Sequence, residues 1–204
     1  MKKFIFFLYP FFLYANYSDS GPHEVVVSVD NYTLSNGQSI EYTFFTPAEI
    51  NHSTQVTLVH AFSRNMDSYY ELAEHYASWG LGVITMNLFY SSIFDNDPFQ
   101  DAIDLREVSD YFSNGRPVVY VGHSSGAMRA IVAATEDTNA IAILGLDLTD
   151  GAYEDSDGEF LGLTYARISS IPIWGLLAEP SSCNSNGNGI NVYLEAEHGN
   201  AISI

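Results

Sequence analysis

The chain has few cations. Its 204 residues include seven Lys and Arg against 25 Asp and Glu, a formal net charge of −18. That balance excludes nucleic acid and anionic membrane surfaces as partners, because each neutralised phosphate needs a cation from the protein. The charge instead gives a soluble, self-repelling surface. Cysteine is nearly absent as well. Cys183 stands alone and cannot form an internal disulfide, so it reads as a buried free thiol or as one whose partner lies elsewhere. Long apolar runs are missing except at the start, where Lys2 and Lys3 precede a run from Phe4 to Ala15 broken by Pro10. That run is too short to span a bilayer. A charged end, an apolar middle and Ala15 before small and polar residues give residues 1–15 the layout of a secretory signal. The expectation is a secreted or periplasmic chain, in an oxidising compartment, with no stable membrane insertion after cleavage.

Repeats, low-complexity linkers and internal boundaries are also missing, so residues 16–204 read as one domain. At 47 % hydrophobic the chain has the means to bury a core,. "EVVVSVDNYTL" and "SIEYTFFTP" flank Asn36-Gly37 and read as a hairpin. Strand and helix patterns then alternate. "TQVTLVHA" is a short buried strand, and Tyr69, Leu72, Ala73 and Tyr76 have helical spacing before a stop at Gly80. "GVITMNLF" is the next strand, and Asp97-Pro98 caps a helix running toward Gly115. "PVVYVG" leads into "SGAMRAIVAATED", a helix apolar nearly all round and therefore buried on most sides. "AIAILGLDL" and "IPIWGLLAE" are two further strands. This order implies an α/β fold with a mostly parallel central sheet and helices on both faces. Sites in such folds lie beyond the carboxyl ends of the strands, which selects His60-Ala61-Phe62, Asn87, Ser124, Asp147 and Glu179.

Gly122-His123-Ser124-Ser125-Gly126 fits G-x-S-x-G between a strand and a helix. A serine on so sharp a turn projects its Oγ clear of the sheet, and its neighbours at two residues' distance must lack side chains where strand and helix crowd. The helix N-terminus favours developing negative charge, with the Ser125 N–H as one donor. A Gly-rich turn serving only close packing is the plain alternative. His123 points away from Ser124 on such a turn and lines the cleft. Asp155-Ser156-Asp157-Gly158 resembles a calcium loop only superficially. With Gly158 sixth, Tyr153 and Thr164 take the first and twelfth positions, where acids are needed. A solvated acidic loop fits better.

The run "VTLVHAFSRNMDSYYELAEHYASWGLGVITMNL", with "VVYVGHSSGAMRA" and "GLDLTDG", resembles the α/β-hydrolase superfamily. Within it, the chain looks like the branch holding chlorophyllases, platelet-activating-factor acetylhydrolases and dienelactone-hydrolase-like secreted esterases. The resemblance implies a serine hydrolase acting on small carboxylic esters, with no metal or cofactor. It makes Ser124 the nucleophile and Phe62 N–H the second oxyanion donor, with His60 structural. Ala61 stands where the family has Gly, which strains the loop if that position needs φ > 0. The family order, Ser then acid then His, makes Asp147 the acid, with Asp150 and Glu179 as alternatives; Asp150 also reads as a capping or turn residue. His198 is the one histidine that follows. His198 is therefore the candidate base on a shortened topology; it also lies so near the end that the resemblance implies a chain lacking its last strand and C-terminal helix, with the true base and a partner for Cys183 beyond Ile204. A catalytically inactive binding protein on this fold, and a peptidase or acyltransferase using the same nucleophile, remain the rivals. Phe62, Phe89, Tyr90 and Trp174 suit either an acyl pocket or core packing. Nothing in the sequence assigns an oligomeric state.

Overall fold

A computed structural model describes residues 16–49, 51–151 and 160–204. The signal-like segment 1–15 and the acidic stretch 152–159 lie outside the described residues. The alternating stretches at the start form β1 (Val25–Thr33) and β2 (Ser39–Pro47), paired antiparallel along their whole length. Gly37 takes φ +86° in the connecting turn, and the Asn36 side chain accepts the Gln38 N–H at 2.8 Å. This is the left-handed position for which Asn-Gly is suited.

The expected alternation follows. The remaining strands are β3 (Gln55–Val59), β4 (Gly82–Met86), β5 (Val118–His123), β6 (Ala140–Leu146), β7 (Ile173–Leu177) and β8 (Gly199–Ser203). The helices are α1 (Tyr70–Ser78), α2 (Pro98–Ser113), α3 (Ser125–Thr135), α4 (Leu161–Ile168) and α5 (Ile190–Glu195). One eight-stranded sheet results, in the order β1-β2-β4-β3-β5-β6-β7-β8, parallel from β4 through β8. β3 and β4 are buried at every position, as their unbroken apolar runs require when both faces of a parallel sheet are covered.

Each face carries its own core. Phe45, Val56, Leu58, Val83 and Val121 pack with Ala73 and Ala77 of α1 on one side. Val59, Ile84, Tyr120, Ile143 and Ile173 pack with residues of α2, α3, α4 and α5 on the other. The helix read as apolar all round is buried from Ser125 to Ala134. α2 starts as expected, with Asp97 accepting the Gln100 N–H at 3.0 Å and Pro98 in the first turn. It ends one residue before the expected glycine, on Asn114 at φ +49°. α5 settles onto β6 and β7 because Gly145 and Gly175 leave room for the Tyr193 ring.

Two expectations are corrected at the C-terminal side. The sheet does not lack an eighth strand: Gly199–Ser203 pairs in parallel with β7 over its full length. Cys183 is exposed, not buried, in a 3-10 turn spanning Ser182–Gly187. Trp174 lies near the start of β7 and is half exposed, at the wrong end of the strand for an acyl pocket. Among the described residues no helix is long and apolar enough to cross a membrane.

Candidate active site

Ser124 occupies the turn between β5 and α3 at φ +52°, ψ −125°. A side-chain-bearing residue pays about 1–3 kcal/mol for a sparsely populated conformation of this kind. The turn is held by Ser124 N–H donating to Leu146 O at 2.9 Å and Ala127 N–H donating to Ser124 O at 3.0 Å. The flanking glycines are there for clearance. A Cβ on Gly122 would overlap the Gly126 carbonyl and the Ala127 backbone, and one on Gly126 would overlap the carbonyl oxygens of His60 and Val59. Gly126 therefore lets the first turn of α3 rest on the end of β3, where the loop carrying Phe62 begins. The Ser124 hydroxyl is half-exposed and donates to Thr149 Oγ1 at 3.3 Å.

That loop is anchored on both sides of Phe62. Ala61 N–H donates to Tyr69 Oη at 3.2 Å, and Ser63 N–H donates to Ser91 O at 2.7 Å. The left-handed residue is Ser63, at φ +53°, and Ala61 is not among the positive-φ positions. Alanine in place of glycine thus brings no backbone strain. His60 is structural, as expected. Its Nδ1–H donates to Ala61 O at 2.9 Å and Nε2 accepts the Leu88 N–H at 3.1 Å, and burial lowers its pKa. Ser125 opens α3, so its N–H is one of the free donors at a helix N-terminus,. Ser124 after β5, Phe62 after β3 and Asp147 after β6 all stand at the carboxyl end of the sheet.

Asp147 follows β6 at φ +49°, with its N–H donating to Leu176 O at 2.7 Å. One carboxylate oxygen, Oδ1, accepts from Ala178 N–H at 3.2 Å and from the buried Asn184 Nδ2 at 3.0 Å. Beside it opens a cavity of about 220 Å³, lined by Asp147, Leu177, Pro180, Ile190 and Ser203 among others. An oriented carboxylate at a strand end, next to a space of imidazole size, is the arrangement an acid of a triad needs.

No family model and no curated protein matches the sequence. Solved structures do match in three dimensions. An α/β hydrolase from Penicillium sp. superposes with TM-score 0.71 at 12 % identity, over 88 % of this chain and 89 % of that one. An esterase domain from Rhodothermus marinus superposes with TM-score 0.67 at 14 % identity, over 87 % of each chain. A protein of Klebsiella pneumoniae subsp. pneumoniae assigned as a dienelactone hydrolase superposes with TM-score 0.65 at 10 % identity, over 88 % and 85 %. The chain has the α/β-hydrolase fold.

Within this α/β-hydrolase fold the alternative acids serve other ends. Asp150 is buried and caps α4, accepting from Gly162 N–H at 3.0 Å and Leu163 N–H at 2.8 Å, besides Gly151 N–H at 3.1 Å. Burial raises its pKa, and the three N–H donors oppose that rise. Its capping reading is therefore the one the geometry bears out. Glu179 is exposed, and its carbonyl, not its carboxylate, accepts from Asn184 Nδ2 at 3.1 Å. Ser124 and Asp147 are brought to neighbouring strand ends, whereas the Asp150 carboxylate is taken up by backbone N–H groups.

His198 is corrected as a candidate base. It is exposed and precedes β8, with its carbonyl accepting from Ile173 N–H at 3.1 Å where β7 starts. Ser124 is level with Asp147 and hence with Leu177 at the far end of β7. Five residues along the strand and three strand spacings across place His198 roughly 20 Å from Ser124. His123 precedes Ser124 and is turned to the 3-10 turn before α1, where Nδ1 meets Tyr69 Oη at 2.7 Å. Burial lowers the His123 pKa, the Asp147 carboxylate raises it and Arg64 lowers it.

Several residues of the site escaped the sequence. Thr149, Tyr69 and Asn184 carry no motif. Arg129 did leave a signal, as the single charge in an otherwise apolar helix. It is fully buried, paired with Asp101 at 2.8 Å, and donates to Ser125 O, Tyr90 O and Asn96 Oδ1. It ties the loop after β4 to α3, the helix that follows Ser124. Among the described residues no group of three His, Cys, Asp or Glu could hold a metal ion.

Proposed function

We propose that the chain is an exported serine hydrolase that cleaves small carboxylic esters. The observation that carries this reading is the strained Ser124 turn with its two glycine clearances at the start of α3; in this reading the N–H groups of Phe62 and Ser125 serve as the oxyanion donors. Strain held at a partly exposed serine fits a reactive role, since packing alone does not require φ +52° on a serine,. In this mechanism Ser124 Oγ leaves Thr149 and attacks the ester carbonyl as an imidazole removes its proton. The oxyanion forms against the two N–H groups, and Asp147 orients the imidazole and balances its charge. The imidazolium then protonates the leaving alcohol, and water resolves the acyl-enzyme by the same steps in reverse.

All six histidines are among the described residues, and none stands between Ser124 and Asp147. The base in this reading enters the cavity beside Asp147 from residues that follow Ser203, whose strand end lines that cavity. A histidine carried there from beyond Ile204 is part of the proposal. The second reading, an inactive binding protein on the same fold, is favoured by the Thr149 contact that occupies the Ser124 hydroxyl.

One experiment separates the two: hydrolysis of p-nitrophenyl butyrate by this chain over a range of added imidazole, with Ser124→Ala and Asp147→Asn alongside. The esterase reading expects a saturable, imidazole-dependent rate that disappears in Ser124→Ala. Rates identical in wild type and Ser124→Ala at every imidazole concentration would favour the binding protein.

A further inference from the structure

Resting on the reading of Ser124 as an ester-cleaving nucleophile, we propose that Tyr69 is a positioning residue of the site, tying the oxyanion loop to the nucleophile turn through one hydroxyl. Tyr69 Oη accepts the Ala61 N–H at 3.2 Å and meets His123 Nδ1 at 2.7 Å. Ala61 is the residue before Phe62, and His123 is the residue before Ser124. The tie therefore spans the two backbone segments whose spacing sets where an oxyanion sits relative to the serine.

An amide N–H can only donate, so the phenol oxygen is an acceptor toward Ala61,. The phenol's single hydrogen is then available to His123 Nδ1, and in the proposed tie neutral His123 is the tautomer with its hydrogen on Nε2, so that one hydroxyl accepts from one segment and donates to the other. Burial raises the Tyr69 pKa, so the phenol keeps that hydrogen at neutral pH, and burial lowers the His123 pKa, which favours the neutral ring. The charged groups that act on His123 are Asp147 and Arg64, and they oppose one another.

Tyr69 is itself held in place. It closes the 3-10 turn Met66–Tyr69, whose first N–H donates to Asn87 Oδ1 at 3.0 Å at the end of β4. Asn87 in turn donates to Glu41 Oε2 at 2.8 Å on β2. Its ring lies 5.9 Å from the His123 ring, tilted at 57°. The brace thus runs from the β2–β4 pair of the sheet to the residue before the serine. Oxyanion donors act only within a few tenths of an ångström of their working distance, and misplacements near 1 Å cost about 100-fold in rate.

The test uses Tyr69→Phe, which keeps the ring and removes both bonds, in this chain supplied with imidazole. Nitrogen-15 spectra should show His123 as the Nε2–H tautomer in the wild type and a mixture in Tyr69→Phe. Hydrogen exchange at the Ala61 amide should speed up in the variant. The Ser124-dependent kcat should fall about tenfold with KM little changed, the signature of a lost transition-state geometry. As a second route, His123→Asn keeps an acceptor near the Nδ1 position and should retain kcat, whereas His123→Leu should match Tyr69→Phe. An unchanged tautomer and unchanged Ala61 exchange overturn the tie. Altered spectra with an unchanged kcat overturn the positioning role and leave a structural contact. If Ser124→Ala shows that no hydrolysis depends on the serine, the esterase reading fails first and takes the catalytic part of the inference with it, while the spectra still decide the tie.

Discussion

Replacing Gly126 by alanine tests the site's construction with one methyl group. Helix propensity alone favours the change by about 0.8–1.0 kcal/mol, since Gly126 lies in the first turn of α3. The structure opposes it. The new Cβ would overlap the His60 carbonyl oxygen and lie 2.8 Å from Val59 O and 2.9 Å from the His60 carbonyl carbon. These are backbone atoms at the end of a buried strand and cannot swing aside as a side chain would. Overpacking of this kind costs about 1–3 kcal/mol, with rigid backbone neighbours placing it at the upper end. Net destabilisation is then about 2 kcal/mol. For a domain of this length that lowers Tm by about 4–8 °C and the urea midpoint by about 0.8 M. Because α3 must back away from β3, Ser125 N–H separates from the Phe62 loop, and kcat should fall by about 100-fold. Urea denaturation and ester hydrolysis check both figures. A stability equal to or above wild type would mean that propensity, not clearance, decides this position, and the account of the turn would be refuted. Gly37→Ala is the control: it meets no atom within 4 Å but holds φ +86°, so it should cost about 1 kcal/mol through backbone strain and leave hydrolysis untouched.

Ser124→Gly should be more stable than Ser124→Ala by about 1 kcal/mol, because glycine relieves the positive φ while alanine keeps it; thermal unfolding of the two inactive variants reads this directly, and equal stability would show the turn is unstrained. Arg129→Met should cost about 3–5 kcal/mol by leaving the Asp101 carboxylate buried and unpaired, and a second change, Asp101→Leu, should recover much of that loss; a mild Arg129→Met with a worse double variant would contradict the pairing. Stability should fall as pH drops from 6.5 through the lowered folded pKa of His60, since the unfolded chain then binds a proton that the buried ring refuses; urea midpoints at several pH values should show a shallower slope over that window in His60→Gln. Cys183 is exposed and should react fully with a thiol reagent in the native state, whereas protection until denaturant is added would place it in the interior.

Much of the fold and half of the site could be read from residues alone, for reasons the structure makes physical. The alternation of short apolar runs with helical patterns carries the mostly parallel sheet, because strands covered on both faces cannot alternate. The serine turn was legible because steric clearance at Gly122 and Gly126 leaves a mark at fixed spacing. Asp147 was legible as the polar residue that ends an apolar strand. His198 misled because chain order carries no information about which end of the sheet a residue reaches. The short α5 returns the chain to the start of β7 before β8 begins, so a histidine late in sequence lies far from the serine. The loop after β3 differs from its expected shape, since its positive φ falls on Ser63 and spares Ala61. Tyr69, Thr149 and Asn184 were invisible because their roles come from hydrogen bonds across 54, 25 and 37 residues of sequence, and no local pattern encodes such partners.

The central claim is that Ser124 carries the acyl group, and trapping that intermediate tests it most directly. The chain, supplied with imidazole and p-nitrophenyl butyrate, is quenched in acid and digested, and the peptides are weighed. The account requires a butyryl adduct on the peptide that contains Ser124, at Ser124 by fragmentation, and its loss in Ser124→Ala. A butyryl group found on Ser125, Thr149 or His123, or turnover without any adduct on Ser124, would contradict it.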